Sequence, residues 1–153
     1  MKPFEHLFFG VLFSFLLWIL FPQIGALGVS LIVFASVFID VDHYLAIVIR
    51  DRKLGIKRAY NWHIFAGKEI CKLPKKERDN LYICWCFFHG MEVIILLFLL
   101  GFLSKYFFFL FLGASLHLLL DLVEQTTYLE RIDKFSSLFD FFKFRKLDQI
   151  VNI

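Results

Sequence analysis

The sequence of 153 residues is poor in charge and in cysteine. Only 20% of the residues are charged and 59% are hydrophobic, whereas soluble domains are about 45–50% apolar. This balance excludes a disordered chain and argues against an ordinary soluble enzyme. Three cysteines without an even, spaced framework exclude a disulfide-stapled secreted scaffold. The net charge of +3 gives no argument for nucleic acid, and the chain has no glycine-rich phosphate loop.

Long apolar runs fill most of the chain. A spanning helix needs about 20 residues, and strands are excluded because the runs do not alternate and open sheets cannot cross lipid. The pattern predicts an all-α integral membrane bundle in a single domain, residues 1–153, with two helical hairpins that turn at Pro22-Gln23 and Ser104-Lys105. The four transmembrane helices are expected at about 4–21, 24–49, 78–103 and 106–127.

The positive charges lie on one side of this predicted bundle. Of the 17 lysines and arginines, all but Lys105 fall in the termini or in the basic loop at 50–80. The positive-inside rule places that side in the cytoplasm and the chain in the cell (inner) membrane. The loop acts as an orientation signal and solvated face, or attracts anionic headgroups and phosphorylated substrates. The tail at 128–153 has apolar side chains at helical spacing and predicts an interfacial helix.

The N-terminus has a second interpretation. Lys2 before an apolar run also fits a cleaved signal peptide, with Ala26-Leu27-Gly28 as a weak cleavage site. A second apolar segment follows without a polar gap, so we favour a retained helix.

Ionisable side chains inside membrane segments are costly, and each is a candidate functional residue. Here they fall in one predicted layer near the cytoplasmic ends of all four helices. At about 100° per residue, neighbours three or four apart share a helix face. Imidazoles and carboxylates on facing helices suit one or two divalent metal ions, Zn or Mn, Mg or Fe. We expect six of them to bind metal: His6, Asp40, His43, His89, His117 and Asp121.

The remaining acids of the layer suggest catalytic roles. Asp42 or Glu92 is expected to be a bridging ligand or a general base. Two metal ions held in this way polarise a phosphoryl or acyl oxygen and generate hydroxide near neutral pH. Cys84 and Cys86 are two apart on the predicted helix and diverge, so no sulfur site is expected. His63 is interpreted as an ordinary loop histidine.

The order of these residues resembles the family of inner-membrane-associated, metal-dependent hydrolases that includes LexA-binding hydrolases of bacteria. Those proteins carry an early Glu-His, then Asp-x-Asp-His, a central His motif and a final His-x-x-x-Asp. The matching residues here are Glu5-His6, Asp40-Val41-Asp42-His43, His89 and His117-Leu-Leu-Leu-Asp121. The resemblance implies a small multi-helix membrane protein with metal-dependent hydrolase activity, and it names no substrate.

The chain departs from this family in the central motif. The family pattern His-Arg-Gly-x-Thr-His-Ser becomes Phe88-His89-Gly90-Met91-Glu92, so the first histidine and its arginine are missing. The threonine that the family usually has three residues after the last aspartate is Glu124 here. Glu92 or His63 would have to replace the missing histidine.

Together these features predict a hydrolase of a lipid or lipid-linked substrate, a phosphate ester, attacked from the cytoplasmic face. The expected partners are membrane lipids and this substrate, and no nucleic-acid contact follows from the sequence. The oligomeric state is open, and three other classes remain. A metal or proton transporter needs polar residues toward the far side, where the helices are almost wholly apolar. A haem carrier is disfavoured by carboxylates beside the histidines, and the third class is a non-enzymatic metal-binding membrane protein.

Overall fold

The chain folds almost entirely into helices. The computed structural model describes residues 3–130, 132–133 and 135–149. In chain order its helices are α1 (Pro3–Leu20), α2 (Gly25–Phe38), α3 (Val41–Asp51), α4 (Ile56–Lys72), α5 (Lys75–Arg78), α6 (Met91–Gly101), α7 (Lys105–Glu124) and α8 (Ser137–Phe144). Two short strands, β1 (Leu81–Tyr82) and β2 (Asp148–Gln149), pair in parallel. The predicted all-α class is confirmed for the described residues.

Among the residues that the structure describes, three helical stretches are long and apolar enough to cross a membrane: Pro3–Leu20, Pro22–Asp51 and Lys105–Tyr128. Their outward faces are apolar as well. On α1, Phe8, Leu12, Phe15 and Ile19 form a stripe at helical spacing, and each is more than half exposed. A soluble monomer rarely presents so large an apolar patch. These surfaces are compatible with insertion into a membrane.

The third apolar run forms only a short helix. The predicted helix at 78–103 is wrong in its first half, because α6 begins at Met91 and residues 79–90 contain no helix. The backbone of this run bonds to distant parts of the chain instead. Phe88 N–H donates to the Asp42 carboxylate, and Met91 N–H donates to the Phe135 carbonyl at 2.8 Å. With 11 residues, α6 is shorter than the roughly 17 that a span requires.

The second apolar run breaks where it becomes polar. The predicted helix at 24–49 is two helices, α2 and α3, which meet at Ile39 and Asp40. Asp42 N–H donates to the Ile39 carbonyl at 3.2 Å, and His43 N–H donates to the Asp40 carbonyl at 3.1 Å. Both bonds span three residues and tighten the chain into a 3₁₀ turn. The Asp-x-Asp-His residues therefore sit at the junction of two helices.

The predicted cytoplasmic loop at 50–80 contains α4, a helix that the sequence analysis missed. Its inner face buries Ala59, Ala66 and Ile70. The Arg50 guanidinium lies 3.8 Å from the centre of the Trp62 ring and connects α3 to α4 by a cation–π contact. In the predicted tail, α8 confirms a helix, while its position at the membrane interface stays a prediction.

Small residues let the central helices approach closely. A Cβ added at Gly113 of α7 would collide with the Ile32 carbonyl oxygen of α2 and lie 2.9 Å from the Ala35 Cβ. Gly10 of α1 faces the Ser36 side chain in the same way. Small residues at helix contacts are typical of membrane bundles, where close packing supplies the attraction. This packing holds α1 and α7 on either side of Ser36.

The close approach at Gly113 is open to a direct test. Gly113→Ala should destabilise the protein by about 1–3 kcal/mol, because backbone atoms must move to admit the methyl group. Thermal unfolding of the detergent-solubilised protein measures the effect. Gly67→Ala on α4 is the control, because a Cβ there meets nothing within 4 Å and should leave the melting temperature unchanged or raise it. Equal melting temperatures for Gly113→Ala and the unmodified chain would contradict the packing described here.

Asp140 of α8 is 5% exposed. Burial raises its pKa from 3.8 to about 6; the charges of Asp133 and Glu92 act in the same direction and that of Lys143 opposes them. Because the folded pKa lies above the unfolded value, folding favours the protonated acid. Stability is therefore lost as the pH rises from about 4 to about 6.

Replacing Asp140 should remove this pH dependence. We expect Asp140→Asn to melt at a higher temperature than the unmodified protein at pH 7.5, and the difference to disappear near pH 4. Thermal unfolding across this pH range tests the expectation. Asp148→Asn on the exposed strand β2 serves as the control. A stability difference that stays constant with pH would show that Asp140 does not titrate as stated.

Candidate metal centre

Histidine and carboxylate side chains meet at one end of the bundle. They come from the start of α1, the α2–α3 junction, the segment before α6, and the C-terminal half of α7. Their side chains are between 0% and 10% exposed. The members of this histidine–carboxylate cluster are His6, Asp40, His89, His117 and Asp121. The structure thus brings together five of the six residues predicted to bind metal.

The centre of the cluster is a contact between two imidazole rings. Nε2 of His89 lies 3.1 Å from Nε2 of His117. Nδ1 of His117 donates to the Ser36 carbonyl at 2.7 Å, and Nδ1 of His89 faces Oδ2 of Asp42 at 3.2 Å. The Ser36 carbonyl oxygen and the Asp42 carboxylate oxygen can only accept a hydrogen bond. Each neutral ring therefore carries its proton on Nδ1. The two Nε2 lone pairs then face each other, which requires a metal ion or a shared proton between them.

Two carboxylates face the same point. Oδ2 of Asp121 lies 3.5 Å from Nε2 of His89 and 3.8 Å from Nε2 of His117. Oδ1 of Asp40 lies 3.8 Å from both nitrogens. Ligands about 2.0–2.1 Å from a tetrahedral zinc ion are about 3.3 Å from one another. Each of these two carboxylate oxygens therefore lies at nearly the distance from both nitrogens that separates the ligands of one metal ion.

His6 completes the cluster from the side of α1. Its ring stacks on His117, with centroids 3.8 Å apart, and its Nε2 lies 3.2 Å from Oδ1 of Asp121. Nδ1 of His6 and Oδ2 of Asp40 are buried and have no hydrogen-bond partner. An unpaired buried polar atom costs about 1–3 kcal/mol. A bound cation with its water ligands would satisfy these atoms.

The two predicted catalytic acids lie outside this group of converging atoms. Asp42 accepts from the Phe88 backbone N–H and faces the outer nitrogen of the His89 ring. Its geometry is that of a residue that orients a metal-binding histidine, so the predicted role as bridging ligand or base is not supported. Glu92 accepts from the Ser136 hydroxyl at 2.5 Å and from the Ser137 N–H at 3.0 Å. It caps α8 and is absent from the cluster.

His43 is turned toward two cysteines. Its Nδ1 lies 3.4 Å from Sγ of Cys84 and 3.1 Å from Sγ of Cys86, while its Nε2 lies 3.7 Å from Oδ1 of Asp40. His63 of α4 stacks on His43 with centroids 4.1 Å apart. We name this second group, His43, His63, Cys84 and Cys86, the sulfur–histidine cluster.

The expectation that Cys84 and Cys86 diverge is therefore wrong. It assumed a helix at 84–86, whereas these residues lie in no helix and their two sulfurs approach to 3.6 Å. The aromatic and β-branched residues Tyr82, Ile83 and Trp85 favour extended backbone and could have indicated this. The hydrogen bond between the Cys84 and Cys86 sulfurs holds the pKa of Cys84 well below its usual range, with His43 adding to the effect and burial opposing it.

An open cleft leads to the boundary between the two clusters. It has a volume of about 280 Å³, and Asp40, His43 and His63 form its polar part. Its other walls are mostly apolar and include Val37 of α2 and Ile64 of α4. Cavities that combine apolar walls with a few converging polar groups are typical ligand sites.

Comparisons of the chain with protein-family models, curated proteins and solved structures find no significant match. The resemblance to metal-dependent hydrolases consequently rests on the motif residues alone. The structure itself contributes groups of His, Cys and Asp side chains whose ligand atoms lie within 4.8 Å of one another, as a metal ion requires.

The positioning role of Asp42 predicts a measurable loss of affinity. Asp42→Asn should weaken Mn²⁺ binding about 10- to 100-fold, as expected when a residue that orients a metal-bound histidine is altered. Mn²⁺ prefers oxygen and nitrogen ligands to sulfur, so it reports on the histidine–carboxylate cluster. Titration followed by the electron paramagnetic resonance of free Mn²⁺ gives the affinity, with Asp148→Asn as the matched control. An unchanged affinity in Asp42→Asn would contradict the role.

Proposed function

We propose that the chain is a metal-dependent hydrolase embedded in the membrane, acting at the cytoplasmic face on a lipid or lipid-linked phosphate ester. The observation that supports it best is the convergence of the His89 and His117 Nε2 atoms with the Asp40 and Asp121 carboxylates. One or two divalent ions held there would polarise a phosphoryl oxygen and activate a bound water.

The proposal includes a membrane arrangement in which the three long helical stretches span the bilayer, the shorter α6 packs beside α7, and the charges place both termini in the cytoplasm. The cluster lies at the end of the bundle where α1 begins and α7 ends. The cationic helices α4 and α5 follow at the same end, and Lys57 and Arg58 are exposed there. Each cation near a membrane surface attracts anionic headgroups by about 1 kcal/mol. An anionic substrate would be concentrated beside the site.

The cleft supports a substrate that is partly apolar. Its apolar walls would hold the lipid portion, while Asp40 at its polar end lies next to the metal-binding atoms. The phosphate group would then meet the metal, and the chain of the lipid would stay out of water. This division matches the apolar and polar parts of the cavity.

In this proposal the cluster residues bind metal, and their neighbours orient the histidine rings. The five members of the histidine–carboxylate cluster bind metal, Asp42 holds the His89 ring, and the Ser36 carbonyl holds the His117 ring. Oδ2 of Asp40 is buried and has no hydrogen-bond partner. We assign it the acceptance of a proton from the attacking water.

Phosphate release from defined lipids tests the proposal. Protein reconstituted in vesicles should release inorganic phosphate from phosphatidic acid or a polyprenyl monophosphate in the presence of Mn²⁺ or Zn²⁺, and EDTA should stop the reaction. Asp40→Asn should reduce the rate about 10²- to 10⁴-fold, the usual contribution of an acid–base group. Asp148→Asn should react like the unmodified enzyme.

The outcome that contradicts the proposal is specific. Protein that carries stoichiometric metal in this cluster but releases no phosphate above the rate of Asp40→Asn would be a metal-binding protein without this activity. Protein that binds no metal at all would remove the basis of the proposal.

A further inference from the structure

The two cysteines of the sulfur–histidine cluster are held close together on a segment without regular secondary structure. Trp85, which lies between them, donates from its Nε1 to the Ser137 carbonyl of α8 at 2.9 Å. Upstream, Leu81 is paired with Asp148 in the small parallel sheet. These anchors fix the segment, and the Sγ atoms of Cys84 and Cys86 lie 3.6 Å apart.

The distances within this cluster are those of a metal site. For a tetrahedral zinc ion with Zn–S about 2.3 Å and Zn–N about 2.0–2.1 Å, two sulfurs are about 3.8 Å apart and a sulfur and a nitrogen about 3.5 Å. The observed sulfur–sulfur distance is 3.6 Å, and Nδ1 of His43 lies 3.4 and 3.1 Å from the sulfurs. Ligand atoms of His43, His63 and Cys84 also lie within 4.8 Å of one another.

Burial and hydrogen bonding point to a ligand as well. Cys84 is 9% exposed, Cys86 7% and His43 9%. Nδ1 of His63 is buried and has no hydrogen-bond partner.

We propose that His43, His63, Cys84 and Cys86 form a second metal site, a tetrahedral zinc site with two sulfur and two nitrogen ligands. Sulfur together with imidazole in tetrahedral geometry selects zinc among the common divalent ions. A site with four protein ligands is closed and structural. This inference uses no part of the proposed hydrolase activity.

The site would join three parts of the chain. His43 belongs to α3, His63 to α4, and the cysteines to the irregular segment that carries His89 a few residues later. Zinc would thereby fix the segment that delivers His89 to the histidine–carboxylate cluster. Nε2 of His43 faces Oδ1 of Asp40 at 3.7 Å, the arrangement by which a carboxylate orients a metal-bound histidine.

X-ray absorption at the zinc edge tests the inference on the unmodified full chain, purified in detergent under reducing conditions and loaded with Zn²⁺. We expect a sulfur shell at about 2.3 Å. The double variant Cys84→Ser/Cys86→Ser should lose this shell and about one zinc ion per chain. Cys71→Ser is the matched control, since Cys71 is an exposed thiol outside the cluster, and should keep both.

The results separate this inference from the proposed function. A zinc environment of nitrogen and oxygen alone in the unmodified chain would overturn the second site and leave the histidine–carboxylate centre standing. A purely sulfur-and-imidazole environment with one zinc per chain would support the second site and count against the first. Retention of the sulfur shell in the double variant would assign it to Cys71 and overturn the inference.

Discussion

Imidazole lone pairs and carboxylates that cluster inside an apolar bundle require a metal ion or a shared proton to offset the cost of their burial. The rest of the structure positions the residues of this cluster. Two imidazole nitrogens 3.1 Å apart and two carboxylates beside them would be unstable together if all stayed unprotonated and metal-free. Burying such groups without compensation costs several kcal/mol. A metal ion or a shared proton between the two rings would remove this cost.

The helix packing serves this centre. Gly113 lets α7 approach α2 so closely that the Ser36 carbonyl reaches the His117 ring one turn further along. The 3₁₀ turn at the α2–α3 junction divides the motif, with Asp40 toward the bundle and His43 toward the cysteines. Asp42 holds both the His89 ring and the Phe88 backbone, and so determines where the irregular segment ends. Stability and metal binding consequently depend on the same few contacts.

Sequence patterns predicted most of what depends on local chemistry. Uncharged runs gave the long helices, and helical spacing placed His117 with Asp121. The shared layer followed from counting residues between turns. The segment at 79–90 could not be read in this way, because its backbone is held by Asp42, Ser137 and β2, all distant in the sequence. Ala59, Ala66 and Ile70 recur at helical spacing and weakly indicate helix α4. The polar residues between them obscure this pattern in the sequence.

The central claim is that a divalent metal ion lies between His89 and His117. Crystals of the protein grown with Mn²⁺ and measured by anomalous diffraction test it most directly. The account predicts an anomalous peak at about 2.0–2.3 Å from both Nε2 atoms, with Asp40 and Asp121 as further ligands. No peak at this position, with the two rings bridged by a water or turned apart, would contradict it.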